Sequence, residues 1–263
     1  MELKLHGRKA FVSGSTQGIG FAIASALLDE GVSVTINGRS EETVDDAIRR
    51  LKARDAGAAV TGIVADFGDE RQTARLIAEL GDVDVLVNNV GLFELAAFSD
   101  IGDDDWQRYF DVNVMSAVRL SRHALPKMLE RRWGRILFIG SESGVNIPAD
   151  MVHYGVTKAA MLALSNGLSK LTRGTEVTVN TILGGPTYSD GVADTVTTLS
   201  QAQGIAEDAM KTAIIGENRT SLLQRFIEPD EIANLALYLA SPLSSATNGA
   251  ALRADGGVLT TIV

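Results

Sequence analysis

The chain has 263 residues, 45% hydrophobic and 22% charged, with a formal net charge of −9 and no cysteine. That size and apolar fraction suit one sizeable α/β domain over residues 1–263, and the missing cysteine excludes disulfides and thiolate metal sites, so no metal is expected. The acidic balance argues against nucleic acid or an anionic membrane as partner, no apolar run approaches the ~18 residues of a membrane span, and the opening Met1-Glu2-Leu3-Lys4 lacks the apolar segment of a signal peptide, which makes a cytoplasmic location the expectation.

In chain order, short β-branched strands alternate with longer stretches of helical periodicity, the rhythm of a parallel sheet covered on both faces. A strand at Lys9–Val12 runs into a loop holding Gly14, Gly18 and Gly20 ("SGSTQGIG") and then into a helix over Gly18–Glu30. Missing side chains there let backbone N–H groups approach a diphosphate at the helix N-terminus. Equally, Gly14 can serve a tight turn and Gly20 close helix–strand packing. Strands are expected at Val32–Ile36, Ala59–Ala65, Val83–Val87, Ile136–Ile139, Glu176–Ile182 and Ala250–Ala254, nearly all apolar, as befits strands buried on both faces. Helices are expected over Glu41–Asp55, Glu70–Leu80, Asp103–Arg132, Val152–Thr172 and Pro229–Leu239. Residues Tyr188–Leu223 are polar and longer than a strand-to-helix connection needs, which predicts a partly helical lid.

In the helix over Val152–Thr172, Tyr154 and Lys158 lie four apart and share one face. A free phenol titrates near about 10, so a neighbouring cation is what turns it into an acid–base group near neutrality. On its own the pair also fits an ordinary helix surface.

Taken together, "SGSTQGIG", "NNVG" at Asn88–Gly91, Asn113 in "FDVNVMS", Ser141 in "IGSESG", "YGVTK", "VTVNTILGGPT" at Val177–Thr187 and "NGAALRADGG" at Asn248–Gly257 occur in the order and spacing of the short-chain dehydrogenase/reductase family, which the chain resembles over nearly its whole length. The resemblance implies a Rossmann-like, doubly wound parallel sheet of strand order 3-2-1-4-5-6-7, a nicotinamide cofactor and a homotetramer. It also implies roles. Tyr154 is the general acid that protonates a carbonyl oxygen as hydride reaches the carbon, and the general base in reverse. Ser141 steadies the same oxygen. Lys158 lowers the pKa of the phenol and binds the nicotinamide ribose. Asn113 bends its helix, where asparagine is mildly unfavourable, and holds a water that relays protons to Lys158. The implied cofactor set is Gly14, Ser15, Thr16, Gln17, Gly18, Ile19 and Gly20 at the diphosphate, Asn37, Arg39 and Ser40 after the second strand, Asp66 and Phe67 at the adenine, Asn89, Val90 and Gly91 by the adenosine ribose, and Pro186 and Thr187 at the carboxamide, together with Tyr154 and Lys158.

NAD enzymes of this fold usually place an acid after the second strand. Here Asn37 takes its place, and Arg39 offers a planar fork suited to a 2′-phosphate with Ser40 as a further donor, so NADP is expected over NAD. Arg39 also fits as the opener of the next helix beside Glu41 and Glu42, and the glycine loop brings no second basic residue. Two positions depart from the family pattern: Val90 stands where alanine is usual, and Gly184-Gly185-Pro186 changes the usual Pro-Gly order.

Phe93, Glu142, Val145, Met151 and the lid are expected to line a mixed, mostly apolar pocket for a small ketone or secondary alcohol. Arg131, Arg132 and Arg173 fall where 3-oxoacyl-[acyl-carrier-protein] reductases bind their carrier, or are solvated helix-end arginines. Four readings result: an NADP-dependent oxidoreductase of ketones, a carrier-protein reductase, a non-catalytic dinucleotide-binding redox sensor, and a nucleotide-sugar epimerase or dehydratase, for whose substrate domain the chain leaves no room. The tail "VLTTIV" is expected either to seek cover on a neighbouring subunit or to fray.

Overall fold

Strand β1 (Lys9–Val12) feeds helix α1 (Gly18–Asp29), β2 (Ser33–Gly38) feeds α2 (Glu41–Arg54), β3 (Val60–Val64) feeds α3 (Glu70–Leu80), and β4 (Val85–Asn88) leads to α4 (Asp103–Tyr109) and α5 (Ser116–Glu130). The chain continues through β5 (Trp133–Ser141), α6 (Val152–Ser169), β6 (Glu176–Gly184), α7 (Asp190–Gln203), α8 (Glu207–Glu217), α9 (Pro229–Ala240) and β7 (Ala251–Ala254). The structure is a computed structural model that describes residues 2–217 and 221–262. Among the described residues the seven strands form one parallel sheet in the order β3-β2-β1-β4-β5-β6-β7, the implied Rossmann-like arrangement. The winding reverses between β1 and β4, so a crevice opens there at the carboxyl ends of the strands.

Strands β1, β4 and β5 at the centre of the sheet are buried over nearly their whole length, which is why they read as largely apolar runs, whereas the edge strands β3 and β7 are partly exposed. Side chains alternate across it: Leu137 and Ile139 of β5 join Val12, Leu27, Ile36 and Leu239 in one core, while Ile136 and Phe138 join Phe11, Leu86, Leu120 and Met161 in the other. Among the described residues no helix is long and apolar enough to cross a membrane.

The structure refines the sequence expectations in four places. The helix expected over Asp103–Arg132 is interrupted by a π-helical turn at Phe110–Met115, because the Asn113 amide there bonds to neighbouring elements and the backbone widens to let it. Strand β2 runs on to Gly38, with Asn37 opposite Ile63 and Gly38 opposite Val64, and β5 and β6 run on to Ser141 and Gly184. The lid holds two helices, α7 and α8, and its residues 218–220 lie outside the described residues. The tail is held by its own chain: the Asp255 carboxylate accepts from the Gly257 and Leu259 N–H groups at 3.0 Å each, the Arg253 guanidinium donates to the Thr261 carbonyl at 2.7 Å, and Val258 and Leu259 are buried, leaving Ile262 fully exposed.

Candidate active site

The glycine loop after β1 rests on buried polar side chains. The Ser13 hydroxyl donates to the Val87 carbonyl at 3.2 Å and accepts from the Asn89 N–H at 2.9 Å. The Ser15 hydroxyl donates to the Val12 carbonyl at 2.6 Å and accepts from the Asn37 N–H at 3.0 Å. The Asn89 amide donates to the Ser13 and Gly14 carbonyls at 3.1 and 2.8 Å. Asn37, expected in the acid's place facing the ribose, is 1% exposed: its oxygen accepts from the Gly14 N–H at 3.1 Å and its nitrogen donates to the Ile63 and Ala65 carbonyls at 3.1 and 3.2 Å. Ser15, Asn37 and Asn89 therefore hold the loop from beneath rather than face the groove, because parallel pairing of β2 with β3 turns the Asn37 side chain inward. Ser13, which does as much as any of them, carries no sequence signal beyond its place at a strand end.

Above these braces the loop presents its backbone. Gly18 has φ +57, a conformation that side chains rarely adopt, and at Gly20 a Cβ would press on the Gly14 carbonyl and the Asn89 amide. Helix α1 has no side-chain cap at Gln17 and no acid in its first turn, so its first N–H groups are open to an anion. One of them, Gly18 N–H, donates at 2.6 Å to the carboxylate of Asp190 at the head of α7, so the loop already holds one anionic group. This donor set fits a dinucleotide diphosphate.

At the adenosine end Arg39 is exposed and makes no ion pair among the described residues. The Ser40 hydroxyl, expected as a phosphate donor, caps α2 by accepting from the Thr43 N–H at 3.3 Å. A second cation absent from the loop's own sequence arrives from α2: Arg50 reaches the Thr16 carbonyl at 3.5 Å and lies over the Phe21 ring at 4.1 Å. Phe67 is in the core with Ile63 and Leu76, and the Asp66 carboxylate accepts from the Gly68 N–H at 2.8 Å. Val90 packs partly against the same core, which absorbs its extra volume. Ile19 packs against the other core, Thr187 is buried with its hydroxyl on the Gly185 carbonyl at 2.9 Å, and the Pro186 carbonyl accepts from the Ile227 N–H at 2.8 Å.

The second constellation gathers where β5 and α6 meet the π-helical turn. Lys158 is buried and its Nζ donates to the Ile139 carbonyl at 2.8 Å, standing 5.6 Å from the Tyr154 ring centre. Asn113 is fully buried, and its amide accepts from the Leu92 N–H at 2.7 Å while donating to the Leu92 carbonyl at 3.1 Å and to the Thr157 hydroxyl at 3.0 Å. Its side chain thus ties the chain after β4 to α6, next to Gly91, whose missing Cβ faces Lys158. Burial pushes the Tyr154 phenol well above its ordinary range, with the Ser141 hydroxyl opposing and the Glu142 and Tyr109 charges adding to the rise. The Lys158 ammonium is aimed at the Ile139 carbonyl, 5.6 Å from the centre of the phenol ring. Burial also lowers Lys158 to about 8, with Glu142 opposing. Ser141 caps a short 3-10 turn, accepting from the Ser143 N–H at 3.1 Å and donating to Glu142 Oε2 at 2.6 Å.

Around this cluster, the Phe93 ring stands edge-on 6.3 Å from Tyr154, and Phe93 and Val145 are exposed, while Met151 opens α6. On the lid side Tyr188 packs 5.6 Å from Phe226 with Lys211 over its face at 4.0 Å. Two of the arginines expected at a carrier surface are engaged within the chain: Arg131 donates to Asp82 at 2.9 Å and to the Val83 carbonyl at 2.7 Å, and Arg132 to the Gly174 carbonyl at 2.6 Å.

A family model described as short chain dehydrogenase matches residues 8–200. "Uncharacterized oxidoreductase YvaG" of Bacillus subtilis (strain 168) is 46% identical over 263 residues, covering 100% of both chains. The 3-oxoacyl-[acyl-carrier-protein] reductase FabG of Aquifex aeolicus (strain VF5) is 30% identical over 98% of this chain and 100% of its own. Among solved structures, L-sorbose reductase from Gluconobacter frateurii, complexed with NADPH and L-sorbose, superposes with a TM-score of 0.93 at 29% identity, covering 100% of each chain.

Proposed function

Because the chain belongs to the short chain dehydrogenase family and is an oxidoreductase of that family, we propose that it reduces a small ketone with NADPH, or oxidises the matching secondary alcohol, with Tyr154 as the proton-transferring group. The observation that carries this reading is the meeting of Ser141 from β5, Tyr154 and Lys158 from α6 and Asn113 from the π-helical turn beside an anion-ready glycine loop. When bound, NADPH supplies the hydride. The chain's residues then manage the oxygen and the proton. Tyr154 holds a proton on its phenol oxygen at neutral pH, the form that reduction uses, and burial tightens that hold. Ser141 presents its hydroxyl beside that oxygen, where negative charge develops. Lys158, at about 8, is largely ammonium at pH 7 and is held beneath the site by the Ile139 carbonyl.

NADP over NAD is supported by the uncommitted Arg39 and by Arg50 beside Thr16, since a guanidinium fork matches a phosphate. The NADPH complex of L-sorbose reductase points the same way. The engagement of Arg131 and Arg132 within the chain supports a free small-molecule substrate over a carrier-bound one. The family resemblance supports a homotetramer, and the cysteine-free acidic composition a cytoplasmic location.

The direct test is Tyr154→Phe. It is expected to lower kcat/KM for ketone reduction about 10³-fold, roughly 4 kcal/mol of barrier, with NADPH affinity by fluorescence titration nearly unchanged. A rate within about tenfold of the parent removes Tyr154 from the chemistry.

A further inference from the structure

The Ser141 hydroxyl has one proton to donate, and in the structure that proton goes to a carboxylate, Glu142 Oε2 at 2.6 Å. The bond is short and charge-assisted. The other carboxylate oxygen accepts from the Ser143 hydroxyl at 3.2 Å, and the Ser143 N–H donates back to the Ser141 oxygen at 3.1 Å. Glu142 makes no ion pair among the described residues, its carboxylate is held by the Ser141 and Ser143 hydroxyls, and its charge reaches Tyr154 and Lys158. A carbonyl oxygen that enters between Ser141 and Tyr154 therefore meets a serine committed elsewhere. To use that serine, a plain ketone has to leave a half-buried carboxylate oxygen without its bond, which is costly.

A ketone with a hydroxyl on the adjacent carbon carries the remedy. Its hydroxyl lies about one hydrogen-bond length from its carbonyl oxygen, as Glu142 Oε2 does from Ser141 Oγ. Resting on the ketone-reductase reading of this site, we propose that Glu142 is the specificity-determining residue that selects ketones bearing a hydroxyl next to the carbonyl. It accepts the substrate hydroxyl's proton in place of that of Ser141 and so releases Ser141 to the carbonyl oxygen. Hydride addition at carbon and the Tyr154 proton at oxygen then convert the hydroxyketone to a vicinal diol. The selection is by exchange of donors: a substrate that brings one unlocks the serine.

The test compares 3-hydroxy-2-butanone with 2-butanone, which share a carbon skeleton, in the parent, Glu142→Ala and Glu142→Gln with NADPH. The parent is expected to favour the hydroxyketone by more than about tenfold in kcat/KM, since a site built around a substrate hydroxyl discriminates against the analogue lacking it. In Glu142→Ala the ratio is expected to fall to within about threefold, partly through a gain on 2-butanone as Ser141 is freed, a gain that mere structural damage cannot produce. Glu142→Gln, which keeps the shape, is expected to fall between the two and serves if the alanine variant does not fold. A parent that reduces both ketones equally, or a ratio unchanged in both variants, overturns the role of Glu142 while leaving the reductase reading intact. A parent that binds NADPH and reduces neither these nor any of a wider set of ketones overturns the reductase reading and this proposal with it.

Discussion

Beneath the glycine loop, Ser13, Ser15, Asn37 and Asn89 spend their polar groups on backbone partners from four different strands and loops. Across the crevice, α7 buries only Val196 and Ser200, and the lid leaves Leu199 38% and Leu222 81% exposed. The dinucleotide side is thus held in shape by the chain's own hydrogen bonds, which spares binding the cost of ordering the loop. The substrate side is drawn from the weakly held part of the molecule, where motion costs little. Among the described residues one hydrogen bond, Gly18 N–H to Asp190, joins the two regions across the crevice.

The largest effect is expected where the braced side is broken. Asn37→Ala removes the side-chain hydrogen bonds to the Gly14 N–H and to the Gly38, Ile63 and Ala65 carbonyls, which is expected to cost about 2–4 kcal/mol of stability in urea unfolding. Leu199→Ala on the lid is expected to stay within about 0.5 kcal/mol, as for other exposed positions. Equal losses at the two positions would erase the contrast between the regions.

A smaller effect is expected at the rim of the braced side. Arg39→Ala is expected to weaken NADPH binding by about 1.5–3 kcal/mol and to leave NADH almost untouched, read by titrating both nucleotides. A parallel loss for both would make Arg39 a structural residue.

The smallest effect tests the link. If the Asp190 carboxylate occupies an N–H that the diphosphate uses, Asp190→Ala is expected to tighten NADPH binding about threefold, because one anion no longer competes with another near a helix N-terminus, and to make the lid of the free protein more open to limited proteolysis. Weaker NADPH binding in this variant would instead make Asp190 a strut of the bound form.

What the sequence determined by itself was whatever depends on near neighbours along the chain. Largely apolar runs at Lys9–Val12 and Val83–Val87 point to buried strands, glycine at 18 and 20 marks a backbone approached closely, and a four-residue spacing puts Tyr154 and Lys158 on one helix face. Each follows from a period or a backbone requirement that a short stretch carries alone. The tertiary structure decided where each polar side chain spends its hydrogen bonds. Asn37 reads as a groove residue until β2 pairs with β3 and turns it inward, Asn113 reads as mid-helix until Leu92 and Thr157 claim its amide, and Arg50 reads as one charge among several on α2 until packing lays it against Thr16. Asp190 meets Gly18 from 172 positions away, and Lys158 aims at the Ile139 carbonyl rather than at the phenol. A buried polar group takes the partner that the sheet's register brings within about 3 Å, and that register is a property of the assembled strands, present in no one stretch of sequence.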